Sequence, residues 1–192
     1  MKDRILKLLN DSIDTKSKLI SDDNFISNVQ QAVDYCVETI KKGNTIFFCG
    51  NGGSAADAQH ISAELTGRFK NDRKPLSGIV LGSNFSSLTA IGNDYNFEDV
   101  FSRELNGLGK EGDLLIAYTT SGKSKNVIKA LETSKKLNIN TIVMVGKNSN
   151  EVSPLADVII SIPSEITARI QESHITVSHI IFEIFEEKLF HA

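Results

Sequence analysis

The chain contains no tryptophan and only two cysteines, two methionines and three prolines in 192 residues. Two cysteines, Cys36 and Cys49, are too few for a disulfide framework. No long block of lysine or arginine appears, and 21 basic against 24 acidic residues leave a formal net charge of −3. Bulk electrostatics therefore recruits neither nucleic acid nor an anionic membrane, and any anion must be held locally. No apolar run approaches the roughly 20 residues that span a bilayer. The opening stretch "MKDRILKLLNDSIDTKSK" also lacks the apolar core and cleavage site of a signal peptide. These absences predict a cytoplasmic protein without a membrane or nucleic-acid partner. Internal repeats, low-complexity tracts and flexible linkers are missing too. What remains, 40% hydrophobic residues and 13 glycines, is an ordinary globular composition at a length that suits one domain over residues 1–192.

Hydrophobic period supplies the organisation. Ile5, Leu8, Leu9 and Ile13 share one helical face, and Ile26, Val29, Val33, Cys36, Val37 and Ile40 form the stripe of a second helix that starts after "SDDN" and ends at Gly43. Together these helices occupy residues 1–43. Over 44–192 come five strand-length apolar runs: Thr45–Cys49, Ser77–Leu81, Asp113–Tyr118, Thr141–Val145 and Asp157–Ile162. Most are separated by helix-like segments, and they lack polar alternation. That pattern predicts an α/β fold with a doubly wound parallel sheet whose strands are buried on both faces. A long helix from about Glu165 to Phe190 closes the chain. Apolar stripes on the leading helices exceed what one small sheet can cover, which predicts helix packing between subunits.

In such sheets ligands sit beyond the carboxyl ends of strands, where loops lead into helix N-termini. Two loops qualify: "GNGGS" (Gly50 to Ser54) and "TTSGKS" (Thr119 to Ser124). Glycines let backbone N–H groups approach an anion, while Ser54, Thr119, Thr120, Ser121 and Ser124 offer hydroxyl donors. Such clusters also serve as plain turns and helix caps, but two of them at strand ends make a phosphate cup. Neither is a nucleotide loop. A Walker pattern ending in "GKS" needs glycine where Ala117 stands, and the G-x-G-x-x-A match of Gly50, Gly52 and Ala55 lacks an acidic residue after the next strand.

The helix after the first loop carries His60 and Glu64, four residues apart and so on one face, where a carboxylate and an imidazole can converge on one metal or one substrate. On the last helix Gln171, Ile175, Ser178 and His179 lie within one broad face, so Gln171 and His179 can complete a site with that pair. His174 lies well round the helix from Gln171, which suits a structural or interfacial role. His191 is expected to be solvated.

Four stretches in order, "CGNGGSAADAQHISAELTGRF", "AIGNDYNFEDVFSR", "TSGKSKNVIKAL" and "ARIQESHITVSHIIFEIFE", resemble the phosphoheptose isomerase family of sugar isomerase (SIS) domains over nearly the whole chain. The resemblance implies an aldose–ketose isomerase that converts D-sedoheptulose 7-phosphate to D-glycero-D-manno-heptose 7-phosphate, the first step towards bacterial nucleotide-activated heptoses. It also implies a homotetramer with active sites shared between subunits. By the same resemblance Glu64 falls on the catalytic base and His179 on the partner acid/base. Asn51, Gly52, Gly53, Ser54, Asn93, Asp94, Thr119, Thr120, Ser121, Ser124 and Gln171 fall in the substrate-binding stretches, and His60, Glu64, Gln171 and His179 on the ligands of members that bind zinc. Two positions depart from the family's pattern. Thr119 stands where many members have serine, and keeps the hydroxyl; Ala168 stands where some carry aspartate.

A carboxylate and a histidine suffice for this chemistry, because moving a carbonyl from C2 to C1 takes a proton from C1 and returns one to C2 through an enediol, while protons shift between the two oxygens. The alternative is a non-catalytic tetramer, similar to relatives that bind the bacterial replication initiator. Those regulators lack the glutamate and histidine that this chain keeps at Glu64 and His179.

Overall fold

The computed structural model describes residues 1–190; His191 lies outside the described residues. Helix α1 (Lys2–Ile20) leads into α2 (Asp23–Lys41). Asp22 caps α2, its carboxylate accepting the backbone N–H groups of Asn24 at 3.0 Å and Phe25 at 3.1 Å. Gly43, at φ +74°, turns the chain out of the helix in a conformation that other residues resist.

Five parallel strands follow, β1 (Ile46–Cys49), β2 (Gly78–Val80), β3 (Leu114–Thr119), β4 (Asn140–Val145) and β5 (Val158–Ser161), in the spatial order β2-β1-β3-β4-β5. Between them run α3 (Gly53–Thr66), α4 (Phe85–Asp94), α5 (Val100–Leu108) and α6 (Lys125–Lys136), and α7 (Thr167–Phe190) ends the described chain. Alternate strand residues feed two cores. Ile46, Phe48, Leu114, Ile116, Ile142 and Met144 meet α2, α3 and α7. Phe47, Cys49, Leu115, Ala117, Val143 and Val145 meet α5 and α6 on the other face. Covering both faces is what permits apolar residues at consecutive strand positions. No described helix is long and apolar enough to cross a membrane.

All five expected strands form, with two differences in detail. The run Ser77–Leu81 yields only a three-residue strand with Ile79 exposed, because β2 lies at the edge and pairs with β1 alone. The last helix starts at Thr167, since Ser164 Oγ accepts the N–H of Ile166 in a turn that precedes it. The α1 stripe is present but uncovered: Ile5, Leu8, Leu9 and Ile13 are exposed, and only Thr15 and Leu19 of that helix are buried.

The strand order places the site. From β1 the chain steps to β2 on one side, while β3 lies on the other, so a crevice opens beyond the carboxyl ends of β1 and β3. Both glycine-containing loops leave the sheet there.

Candidate active site

The first loop enters α3 through Gly52, the helix N-cap, at φ +56° and ψ −121°. This backbone is accessible to glycine and strained for a residue with a side chain. At Gly53 the backbone lies bare beneath α7: a Cβ there would lie 2.5 Å from Nε2 of Gln171, so the Gln171 amide rests directly on the first turn of α3. Ser54 is buried at that turn. In the second loop Thr119 Oγ1 and Ser124 Oγ face each other at 3.3 Å, and Thr119 Oγ1 also accepts the N–H of Gly122. Ser121 Oγ accepts the N–H of Lys123. Thr119 is buried, whereas Ser121 is exposed and Thr120 and Ser124 are partly so. The loops are joined by a reciprocal amide pair between Asn51 and Asn126, at 2.9 and 2.8 Å. Asn51 thus spends its side chain fixing the first loop to the start of α6. Asn126 lies within the stretch "TSGKSKNVIKAL", but its pairing with Asn51, 75 residues away, is reachable only through the fold.

Further along α3 the chemistry concentrates. His60 Nε2 lies 3.2 Å from Glu64 Oε1, one turn on, and 3.2 Å from Nε2 of His179 on α7. Ligating atoms of the three residues all fall within 4.8 Å of one another. The ring of Phe69, just beyond α3, stacks on His179 with centroids 5.9 Å apart. A single imidazole nitrogen either donates or accepts, so His60 Nε2 cannot accept from His179 while donating to Glu64. A cation among the three would satisfy every contact. Separations of 3.2 Å also suit neighbouring ligands in a tetrahedral zinc shell with bonds of about 2.0–2.1 Å. Two imidazoles and a carboxylate therefore fit zinc by type and spacing, whereas the amide of the fourth expected ligand, Gln171, rests against Gly53 at the start of α3 and not in the cluster.

Two expected substrate residues are not drawn into this cluster. Asn93 and Asp94 lie at the exposed end of α4, and the Asn93 amide donates to Asp94 Oδ1 at 2.8 Å rather than to either loop. Conversely, Asp57 was missed. It stands one turn before His60 on α3, half-buried, with Oδ2 out of water and without a hydrogen-bond partner among the described residues. Burial pushes its carboxyl above the usual range, and the nearby His60 opposes that. The spacing of Asp57, His60 and Glu64 was the available signal, since residues three and seven apart share a helix face. His174 is wholly buried, its ring nitrogens unpartnered among the described residues, and its ring centroid is 6.1 Å from that of Tyr118. Its expected structural role agrees with that burial.

A family model described as SIS domain matches residues 10–146. A phosphoheptose isomerase of Aliarcobacter butzleri is 45% identical, with all of both chains covered. One of Nitratiruptor is 51% identical over 79% of this chain and 81% of its own. The chain belongs to the phosphoheptose isomerase family. Its class of activity is that of an aldose–ketose isomerase. The structure of the phosphoheptose isomerase of Neisseria gonorrhoeae superposes on it with a TM-score of 0.90 at 34% identity, covering 97% of this chain and 98% of that one. Doubly wound topology, leading helices and long final helix are thus the architecture of the phosphoheptose isomerase fold.

Proposed function

We propose that this chain converts D-sedoheptulose 7-phosphate to D-glycero-D-manno-heptose 7-phosphate in the cytoplasm, supplying the synthesis of nucleotide-activated heptose. The observation that carries this reading is the convergence of Glu64, His60 and His179 on facing sides of α3 and α7, on the same helix whose N-terminus opens at the phosphate cup. Seven residues separate Gly53 from His60, about 10 Å along the helix. That span matches an extended seven-carbon sugar whose phosphate lies at the helix start and whose C1 and C2 lie beside His60, where Glu64 Oε1 reaches back to within 3.2 Å of the His60 ring.

In this reading backbone N–H groups of the first loop and the hydroxyls of Ser54, Thr119, Thr120, Ser121 and Ser124 hold the phosphate. Asn51, Gly52, Gly53 and Gln171 line the sugar's path. Binding energy from the phosphate positions the reacting end. Glu64 takes the proton from C1, giving the enediol, and returns it to C2. His179 protonates O2 as the carbonyl opens and accepts the proton of O1 as the new carbonyl forms. Zinc held by His60, Glu64 and His179 would polarise the sugar's oxygens. Asn93 and Asp94, outward on α4, serve as substrate residues across a subunit boundary in a homotetramer, which the exposed stripe of α1 also supports.

Incubation of purified protein with sedoheptulose 7-phosphate, followed for aldose formation, tests this directly. Aldose should accumulate to equilibrium. A protein that leaves the ketose untouched but binds the replication initiator would be the regulator instead.

A further inference from the structure

Helix α3 ends without the devices that usually close a helix. Its last turn carries no basic residue, and Gly67 at the C-cap has φ −89° and ψ −115°, outside the left-handed turn of a Schellman motif. The terminal carbonyls are met from outside. Arg73 Nη2 donates to the carbonyl of Glu64 at 2.7 Å, and Nη1 donates to that of Leu65 at 2.9 Å. Through Nε the same guanidinium donates to Glu186 Oε1 at 2.9 Å. Glu186 stands seven residues beyond His179 on α7, hence on the same face. Its other oxygen accepts the backbone N–H groups of Lys70 at 3.0 Å and Asn71 at 3.2 Å. The Arg73 and Glu186 side chains are 5% and 2% exposed, so their ion pair is withdrawn from water. Desolvation pushes the Glu186 carboxyl up, but the Lys70 amide, the Arg73 guanidinium and the Asn71 amide together outweigh it and hold it below the usual carboxylate range.

We propose that Arg73 and Glu186 are positioning residues for the isomerisation: a buried brace that fixes the backbone of Glu64 against the face of α7 that carries His179. The proposal rests on Glu64 and His179 being the acid–base pair. A guanidinium presents five donors in a rigid plane and can hold two carbonyls and a carboxylate at once, which an ammonium cannot. It also places a cation at the negative end of the α3 dipole. Gly53 at the phosphate cup is eleven residues from Glu64, about 16 Å along the helix. Loosening the brace should therefore disturb proton transfer and leave phosphate binding alone.

The test compares Arg73→Lys, the double variant Arg73→Met with Glu186→Gln, and wild type, each assayed well below its melting temperature. The double variant removes both buried charges together, a change that proteins often tolerate without loss of stability, and so keeps the proposal testable should the single variant fold poorly. Both variants should lose kcat by about tenfold or more, the scale expected for a misplaced catalytic group, with KM for the sugar phosphate near the wild-type value. Hydrogen exchange should quicken in the last turn of α3 and in residues 67–73, with no change in α5. If the double variant regains wild-type kcat along with wild-type stability, or if exchange at the end of α3 is unchanged, the pair serves stability alone and the proposal falls. A wild type that isomerises no sugar phosphate overturns the proposed function but not the brace, which the exchange of the α3 terminus then decides by itself.

Discussion

His60 Nε2 is the atom on which the site turns, since it touches Glu64 and His179 at 3.2 Å each and a single ring nitrogen cannot donate to one while accepting from the other. This argues for a cation in the cluster. Zinc should be found by elemental analysis of protein purified without chelator, and chelation should depress activity that zinc restores; a metal-free protein whose activity responds to neither treatment would remove metal from the site. His174 makes a second prediction at this scale. Burial pushes its imidazole from an ordinary 6.5 down to about 4. The folded state therefore refuses a proton that the unfolded chain takes up. The stabilisation is complete above the unfolded value near 6.5 and is lost as pH falls towards 4, by roughly 3 kcal/mol in all. Tyr118, the titratable ring facing it, stays protonated throughout because burial pushes its phenol further up. Melting temperature should fall between about pH 7 and about pH 5 in wild type, and fall less in a His174→Phe variant; equal slopes would mean that the unfolding is governed by other groups. The chemistry-bearing residues were legible in the sequence wherever helical spacing linked them, as with His60 and Glu64. Asn126 and Arg73 were not, because their partners Asn51 and Glu186 lie 75 and 113 residues away and only the fold joins them.

Among the elements, the two loops at the sheet's switch point form the proposed anion site. Glycine and hydroxyl patterns revealed both, and the strands that present them were legible as unbroken apolar runs. Strand order and the edge position of β2 were not, since a periodic pattern says which faces are buried but not which strand lies beside which. Thr119 and Ser124 face each other across the second loop, and Ser121 bonds within it, so the loop is held in shape by its own hydrogen bonds. Replacing Ser121 and Ser124 together with alanine should weaken sugar-phosphate binding, each lost hydrogen bond to a charged group being worth about 1.5–3 kcal/mol. Melting should change much less. Calorimetry that finds unchanged affinity in the double variant would place the phosphate elsewhere.

For the whole molecule the uncovered surface is informative. Ile5, Leu8, Leu9 and Ile13 of α1 are exposed, and between α1, α2 and α7 an apolar groove of about 270 Å³ is lined by Leu19, Ile20, Phe25, Ile26, Val177 and Ile180. Exposed apolar surface of this extent signals association. Light scattering should report a tetramer, and Leu9→Glu should shift it to smaller species with lower activity. A stable wild-type monomer with full activity would contradict shared active sites and leave Asn93 and Asp94 without a role. The central claim, that Glu64 moves the carbon-bound proton of a sugar phosphate bound along α3, is tested most directly by NMR of sedoheptulose 7-phosphate in deuterated buffer with wild type and Glu64→Gln at equal metal content. Wild type should produce aldose and carry solvent deuterium into the sugar, and the variant should lose both by a factor of at least about 10²–10⁴ while remaining folded. Wild-type rates of deuterium incorporation in a folded Glu64→Gln protein would show that another group removes the proton.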